Sequence, residues 1–364
     1  MIKLNQLSKH IKEKYSISCQ ELLGNPNELL GGIYSNTVNK TSEKLAELFK
    51  KNVILTSSGT NAILISLEYA IMLAKNKKIL FYLSEYSYFT TVSYFIFKKN
   101  MGFEIRLLKS NSDEVTINEV VNFEENCFYI FMFTSHNNIN CNIDQVVSKI
   151  PKEFRFIVED RCLTFGINHS SVSDSECYSF SNNKFIIAGE GGCLSSNNNN
   201  FIQWAKLRTF SGIHPYKNVP QFMYTGYYKV NPHESPFKCS ISAVNALLIL
   251  EQLNFIENIK QKRIKNYQTL KEELPTILES IPDSPLFFSL NFNRKMTVKT
   301  LRKIQFEFLR QGIQTHLGVL SFDFFTKPIA YKYVLSLPCH TELNEDQIVH
   351  ITHTTKKILK QNEI

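Results

Sequence analysis

Residues 127–134 read CFYIFMFT, an aromatic-rich run without a charged side chain. It is far shorter than the ~18 apolar residues of a membrane span, and it fits a strand buried on both faces. Val53–Thr56, Lys78–Leu83, Phe103–Leu108 and Phe156–Asp160 have the same strand character. Helical segments at Ala62–Leu73, Tyr86–Phe97 and Asp144–Ile150 alternate with them, and further short strands are expected at Cys177–Phe180, Phe185–Ala188 and Cys193–Ser195. Alternation of this kind predicts an α/β fold, a mainly parallel sheet flanked by helices.

A chain of 364 residues is long for one core, and two domains are expected. Residues 1–245 hold the strand–helix alternation, and Thr41–Lys51 within them reads as a capped amphipathic helix after the break at Gly31-Gly32. Residues 209–240 contain Pro215, Pro220, Pro232 and Pro236 among aromatics, and read as an irregular segment at a site or an interface. A long helix over Ser240–Leu274 leads into a smaller α/β domain, 246–364.

The net charge of +8 is spread along the chain, without the basic face or motif that nucleic-acid binding requires. No apolar stretch reaches membrane-span length and the first residues carry no signal-peptide core, so a cytoplasmic protein without membrane contact is expected. Eight cysteines occur without a CxxC pair, which reads as reduced thiols. His136, His214, His233 and His316 lack ligand spacing, and no metal is assigned.

In open α/β sheets, ligands bind beyond the carboxyl ends of strands. Thr60, Asp160 and Lys184 all fall just past apparent strand ends. Ser57-Ser58-Gly59-Thr60-Asn61 turns from a strand into a helix, offering N–H groups and a favourable dipole to a phosphate, although a capped helix start looks the same. Asp160 ends a buried strand, where a capping role is the ordinary alternative. Lys184 follows Ser179-Phe180-Ser181 and precedes an apolar stretch and Gly189-Glu190-Gly191-Gly192, which sets it apart from a surface lysine.

SFSNNKFIIAGEGG resembles the Schiff-base lysine region of the DegT/DnrJ/StrS aminotransferases, which are fold-type-I enzymes using pyridoxal 5′-phosphate (PLP). SSGTNAILISLEYA is similar to that family's phosphate-loop helix, and VEDRCLTFGI to its acidic strand end. Leu247–Tyr267 resembles the helix joining the two domains. Gln311–Thr315 and Leu337–His340 are similar to small-domain markers.

The resemblance implies that Lys184 is the catalytic lysine and that Asp160 meets the pyridine nitrogen. It implies that Gly59, Thr60, Asn61 and Ser179 hold the phosphate, and that Tyr88 covers the ring. Tyr216, Lys229 and Lys238 are further candidates for substrate contact. The implied assembly is a homodimer with shared sites. The implied reaction moves an amino group from an amino acid such as L-glutamate to a keto-sugar, nucleotide-linked as in many members of the family.

Sugar dehydratases of the family carry His where Lys184 stands. Three positions depart from the family pattern: Leu163 replaces a usual Gln, Phe165 a frequent His, and Pro236-Phe237-Lys238 a phosphate-binding Asn segment. Two other readings therefore stay open, a PLP enzyme of altered chemistry on an amino acid (lyase, racemase or carbon–carbon bond formation) and a non-catalytic relative.

Overall fold

The computed structural model describes residues 1–362 except 4, 26–34, 86, 110–115, 118–119, 136–139, 166–171, 210–212, 215–228, 231–237, 276–284, 292–296, 318–319, 322–329 and 332–333. Seven strands form the main sheet: β1 (Asn52–Thr56), β2 (Lys78–Ser84), β3 (Glu104–Leu108), β4 (Cys127–Thr134), β5 (Arg155–Asp160), β6 (Ser175–Ser179) and β7 (Gly192–Ser196). Their order is β1-β7-β6-β5-β4-β2-β3. β7 runs antiparallel to both neighbours, and the remaining pairings are parallel.

Alternation along each strand sends side chains to both faces. Phe81, Ile130, Met132, Phe156 and Val158 pack with Ala62, Leu67 and Ala70 of α3 (Gly59–Ala74) and Phe201 of α5 (Asn199–Thr209). Leu80, Tyr129, Phe131, Phe133 and Ile157 pack on the opposite face with Ile143 and Val146. Every residue of β4 is buried, as expected of a strand covered on both sides.

Three expectations are corrected. The first amphipathic helix, α2 (Asn36–Phe49), begins before Thr41 because the Ser35 side chain caps it, and it stops where Lys50 turns left-handed. The long helix over Ser240–Leu274 is two helices, α6 (Ala243–Leu253) and α7 (Ile256–Glu273). They part at Asn254-Phe255, where Phe255 leaves helical geometry and sets its ring edge-on to His10 at 4.7 Å. Phe185–Ala188 is not a strand. Its backbone pairs with a side chain instead: Ile187 N donates to Gln252 Oε1 at 2.9 Å, and Gln252 Nε2 donates to Ile187 O at 2.7 Å.

A second cluster gathers Tyr267 and Leu270 of α7 with β8 (Phe288–Asn291), α8 (Val298–Arg310), β9 (His316–Leu317), β10 (Val334–Leu337) and α9 (Glu345–Gln361). Its antiparallel sheet has the order β8-β10-β9. Ile2 belongs to this cluster and bridges to Ile313. Within 209–240 the described pieces include a two-residue antiparallel ladder joining Ile213–His214 to Lys229–Val230. No helix among the described residues is long and apolar enough to cross a membrane.

Candidate active site

The carboxyl ends of β1, β5 and β6 bring the sequence candidates together around Cys162. At the start of α3, the Ser58 hydroxyl accepts the Asn61 N–H at 3.1 Å, and the Asn61 carboxamide donates to Ser57 Oγ at 2.7 Å. Asn61 is thus spent on the turn itself. The N–H groups of Gly59 and Thr60 are first-turn donors without intrahelical partners. The Thr60 hydroxyl lies 3.3 Å from that of Thr90, so α4 (Phe89–Asn100) starts beside the same turn.

Gly59 cannot carry a side chain here. A Cβ would stand 2.7 Å from Ser179 Cβ and 2.8 Å from Cys162 Sγ. At Gly192 a Cβ would lie 2.4 Å from the Gly59 nitrogen. These two glycines let the helix start, the end of β6 and the segment after β5 converge, and the result is a cradle of backbone donors and small hydroxyls.

Asp160 ends β5 and is 3% exposed. One oxygen accepts the Cys162 N–H at 3.0 Å, and no lysine or arginine among the described residues pairs with the carboxylate. Its neighbours Glu159 and Arg161 belong to a separate buried network with Glu176 and Lys51. A buried carboxylate is costly without a cationic or hydrogen-bonding partner, so Asp160 suits a protonated ring nitrogen. Burial pushes the Cys162 thiol well above its ordinary range. The Asp160 charge adds to that shift and the Lys184 charge opposes it.

Lys184 is half-buried, with its ammonium 6.0 Å from the centroid of the Tyr88 ring. Tyr88 is 56% exposed and leans on Phe89 at 4.3 Å. Burial raises its hydroxyl pKa, with a smaller contribution from Cys162. The Lys184 backbone is pinned at both ends: its N–H donates to Ser181 O at 3.1 Å, and its carbonyl accepts from Asn5 Nδ2 at 2.6 Å.

Lys184, Asp160, Gly59, Thr60, Ser179 and Tyr88 therefore share one site. Lys238 is exposed. Lys229 has only its backbone described, and Tyr216 lies outside the described residues, as do Pro236 and Phe237. Phe165 is buried and stacks on Phe185 at 5.5 Å and 8°, with Leu163 packed on the same cluster. Leu163 and Phe165 thus contribute apolar packing beside the lysine turn.

Three residues were given no place at the site by the sequence. Cys162 stands among many unremarkable cysteines. Asn5 lies far away in sequence. His316, on an exposed edge of the second cluster, stacks on Phe287 at 6.1 Å, and desolvation and then the charge of Lys184 contribute to lowering its imidazole pKa. None of the three has a local motif. A groove of about 550 Å³ lined by Asn36, Lys40, Glu43, Leu55, Lys206 and Ser240 includes none of the site residues.

The sequence model of the DegT/DnrJ/EryC1/StrS aminotransferase family matches residues 29–356. The spore coat polysaccharide biosynthesis protein SpsC of Bacillus subtilis is 21% identical over 255 residues, which cover 61% of this chain and 64% of that protein. The chain spans 64% of the length of the curated relatives it matches. Among solved structures, Helicobacter pylori PseC, an aminotransferase involved in pseudoaminic acid biosynthesis, superposes with a TM-score of 0.75 at 17% identity over 99% of both chains. Spr1654 of Streptococcus pneumoniae in its PLP-form gives 0.76 at 14% identity, over 99% of this chain and 98% of that one. At these identities the superpositions establish a common fold.

Proposed function

The chain belongs to the DegT/DnrJ/EryC1/StrS aminotransferase family, and from that premise we propose that it is a PLP-dependent aminotransferase acting on a sugar. The observation that carries the reading is the convergence of a buried carboxylate without a cationic partner among the described residues, a glycine-built helix start and a half-buried lysine facing an exposed aromatic ring.

These residues fit PLP. The Gly59 and Thr60 N–H groups, with the Thr60 and Ser179 hydroxyls, would hold the phosphate at a helix N-terminus. Asp160 would keep the ring nitrogen protonated, and Tyr88 would lie against the ring. Bound there, the cofactor supplies an electron sink for the charge left when the α-proton of an amino donor departs. Lys184 would hold the cofactor covalently, yield its place to the donor, and then carry the proton with its freed amine.

We propose L-glutamate as donor and a nucleotide-linked keto-sugar as acceptor. The chain's resemblance to sugar aminotransferases supports this, and a mildly basic chain would attract both anions. The described cysteines are free thiols, which suits the cytoplasm. The exposed stripe Phe89, Ile96, Phe97 and Met101 continues from Tyr88 along α4 and supports a homodimer formed next to the site. We propose a smaller lobe built around the cluster of Tyr267, Phe288, Leu301 and Ile351, with the helix after residue 245 packing on the large sheet's side.

Leu163 and Phe165 favour a second reading. With apolar packing where the family usually hydrogen-bonds the cofactor's phenolic oxygen, the site would process an amino acid without releasing its nitrogen. One experiment separates the two. The PLP-loaded protein is mixed with L-glutamate, and the visible band and 2-oxoglutarate are followed. Stoichiometric keto-acid release with loss of the band supports transamination. An inert band with glutamate and every other amino donor overturns it. Lys184→Ala is expected to abolish both the band and borohydride-stable labelling of the chain.

A further inference from the structure

The turn that carries Lys184 is fixed by a residue 179 positions away in sequence. Asn5 is 9% exposed and its carboxamide is used at both ends. Nδ2 donates to the Lys184 carbonyl at 2.6 Å, while Oδ1 accepts from Arg263 Nη2 at 2.7 Å and from the Gln6 N–H at 3.0 Å. Arg263 is 2% exposed. Its other terminal nitrogen, Nη1, donates to Leu286 O at 3.0 Å, and the guanidinium lies 4.9 Å over the ring of Phe185, the residue after Lys184.

Arg263 has neutral acceptors and no carboxylate partner among the described residues, and burial pushes its pKa down to about 10. For stability alone, an apolar residue of similar volume often serves a buried site as well as a charge does. A buried guanidinium here has a second use, since its rigid fork fixes the orientation of the Asn5 carboxamide.

The segment is also tied to the smaller lobe. Ile2 N donates to Gly312 O at 2.6 Å and Gln314 N to Ile2 O at 2.9 Å, while His340 Nε2 meets Lys3 O at 3.0 Å. Gly312 and Gln314 lead directly into His316.

We propose that Asn5 and Arg263 are positioning residues for Lys184. The chain Arg263–Asn5–Lys184 O sets the backbone from which the lysine's flexible stem starts, and it makes the reach of the amine depend on the placement of the smaller lobe. The proposal rests on reading Lys184 as the residue that holds the cofactor. Since reaction geometry is sensitive to displacements of about 1 Å, a released turn should be visible in lysine chemistry before it is visible in folding.

The test uses the full chain loaded with PLP. Asn5→Ala removes both contacts. Asn5→Asp keeps an acceptor for Arg263 but removes the donor to Lys184. For each, borohydride trapping at Lys184 is timed by peptide mass, the visible band is titrated with pH, and circular dichroism and melting are recorded. Both variants are expected to trap about tenfold more slowly and to shift the pH midpoint of the band, with a native fold. Native trapping and a native midpoint in a folded variant overturn the proposal. If neither variant folds, Asn5 is a folding residue and the positioning role is likewise overturned. Lys184→Ala run alongside separates the premise: label that persists there refutes the anchoring lysine itself.

Discussion

Gly59→Ala offers the sharpest test of how the site is built. The added methyl would stand 2.7 Å from Ser179 Cβ, 2.8 Å from Cys162 Sγ and 3.2 Å from Ser179 Cα. Ordinary carbon contacts lie at about 3.5–4.0 Å, so each neighbour must retreat by roughly 1 Å. Ser179 cannot do so by a rotamer change, because its Cβ is set by the backbone, whereas Cys162 Sγ must leave its present rotamer. Ser179 is the last residue of β6 and pairs with Gly192, and the Cys162 N–H is bonded to Asp160. Overpacking of this kind costs about 1–3 kcal/mol, or roughly 2–4 °C of melting temperature per kcal/mol.

If the helix start moves instead, the Gly59 and Thr60 N–H groups leave the phosphate. Losing one charge-assisted hydrogen bond weakens binding by about 1.5–3 kcal/mol, on the order of ten- to a hundred-fold in the PLP dissociation constant. The assay is a melt of the cofactor-free protein together with a fluorescence titration of PLP. Gly24→Ala serves as the control, because Gly24 has φ −71° and only ordinary contacts at 3.4 and 3.6 Å. A Gly59→Ala protein with native melting and native PLP affinity would refute the close approach of the three segments.

Asp160→Asn should leave the melting of the cofactor-free protein unchanged or raised, because a buried carboxylate without a cationic partner disappears. It should weaken PLP binding by on the order of ten-fold or more, measured by the same titration. Asp174 tests an electrostatic term away from the site. Burial pushes its carboxyl from 3.8 up to about 6, although it accepts the Ile157 N–H at 2.8 Å. The folded state therefore favours the protonated form. The associated stability is present below about pH 4 and is lost as pH rises through 6, by up to roughly 3 kcal/mol. Asp174→Asn should raise melting at pH 8 and change it little at pH 4; equal shifts at both pH values would contradict this.

Much of the fold was legible because its signals are local. The uninterrupted apolar runs gave β2, β4 and β5, and the Ser-Ser-Gly-Thr turn gave the start of α3. Helix boundaries were less accessible. Ser35 caps α2 ahead of Thr41, and Phe255 leaves the helix to meet His10 from a distant segment. Both outcomes depend on which of several capable side chains finds a partner.

The site divides along the same line. Thr60, Asp160 and Lys184 were candidates because each falls just past an apparent strand end, where ligands of a parallel sheet bind, and Gly59 and Ser179 joined them through the helix-start motif and the family resemblance. Tertiary structure alone decided what holds them. The stretch after Lys184 looked like a strand because periodicity reports only side-chain polarity, whereas the backbone groups of Ile187 are satisfied by the carboxamide of Gln252, 65 residues away. Asn5 carries no motif and Arg263 stood out only as part of the helix segment 247–267, and the role proposed for them exists only once folding brings residues 5, 184 and 263 into one hydrogen-bonded chain. A buried polar group must find a partner wherever packing places one, and sequence proximity does not constrain that choice.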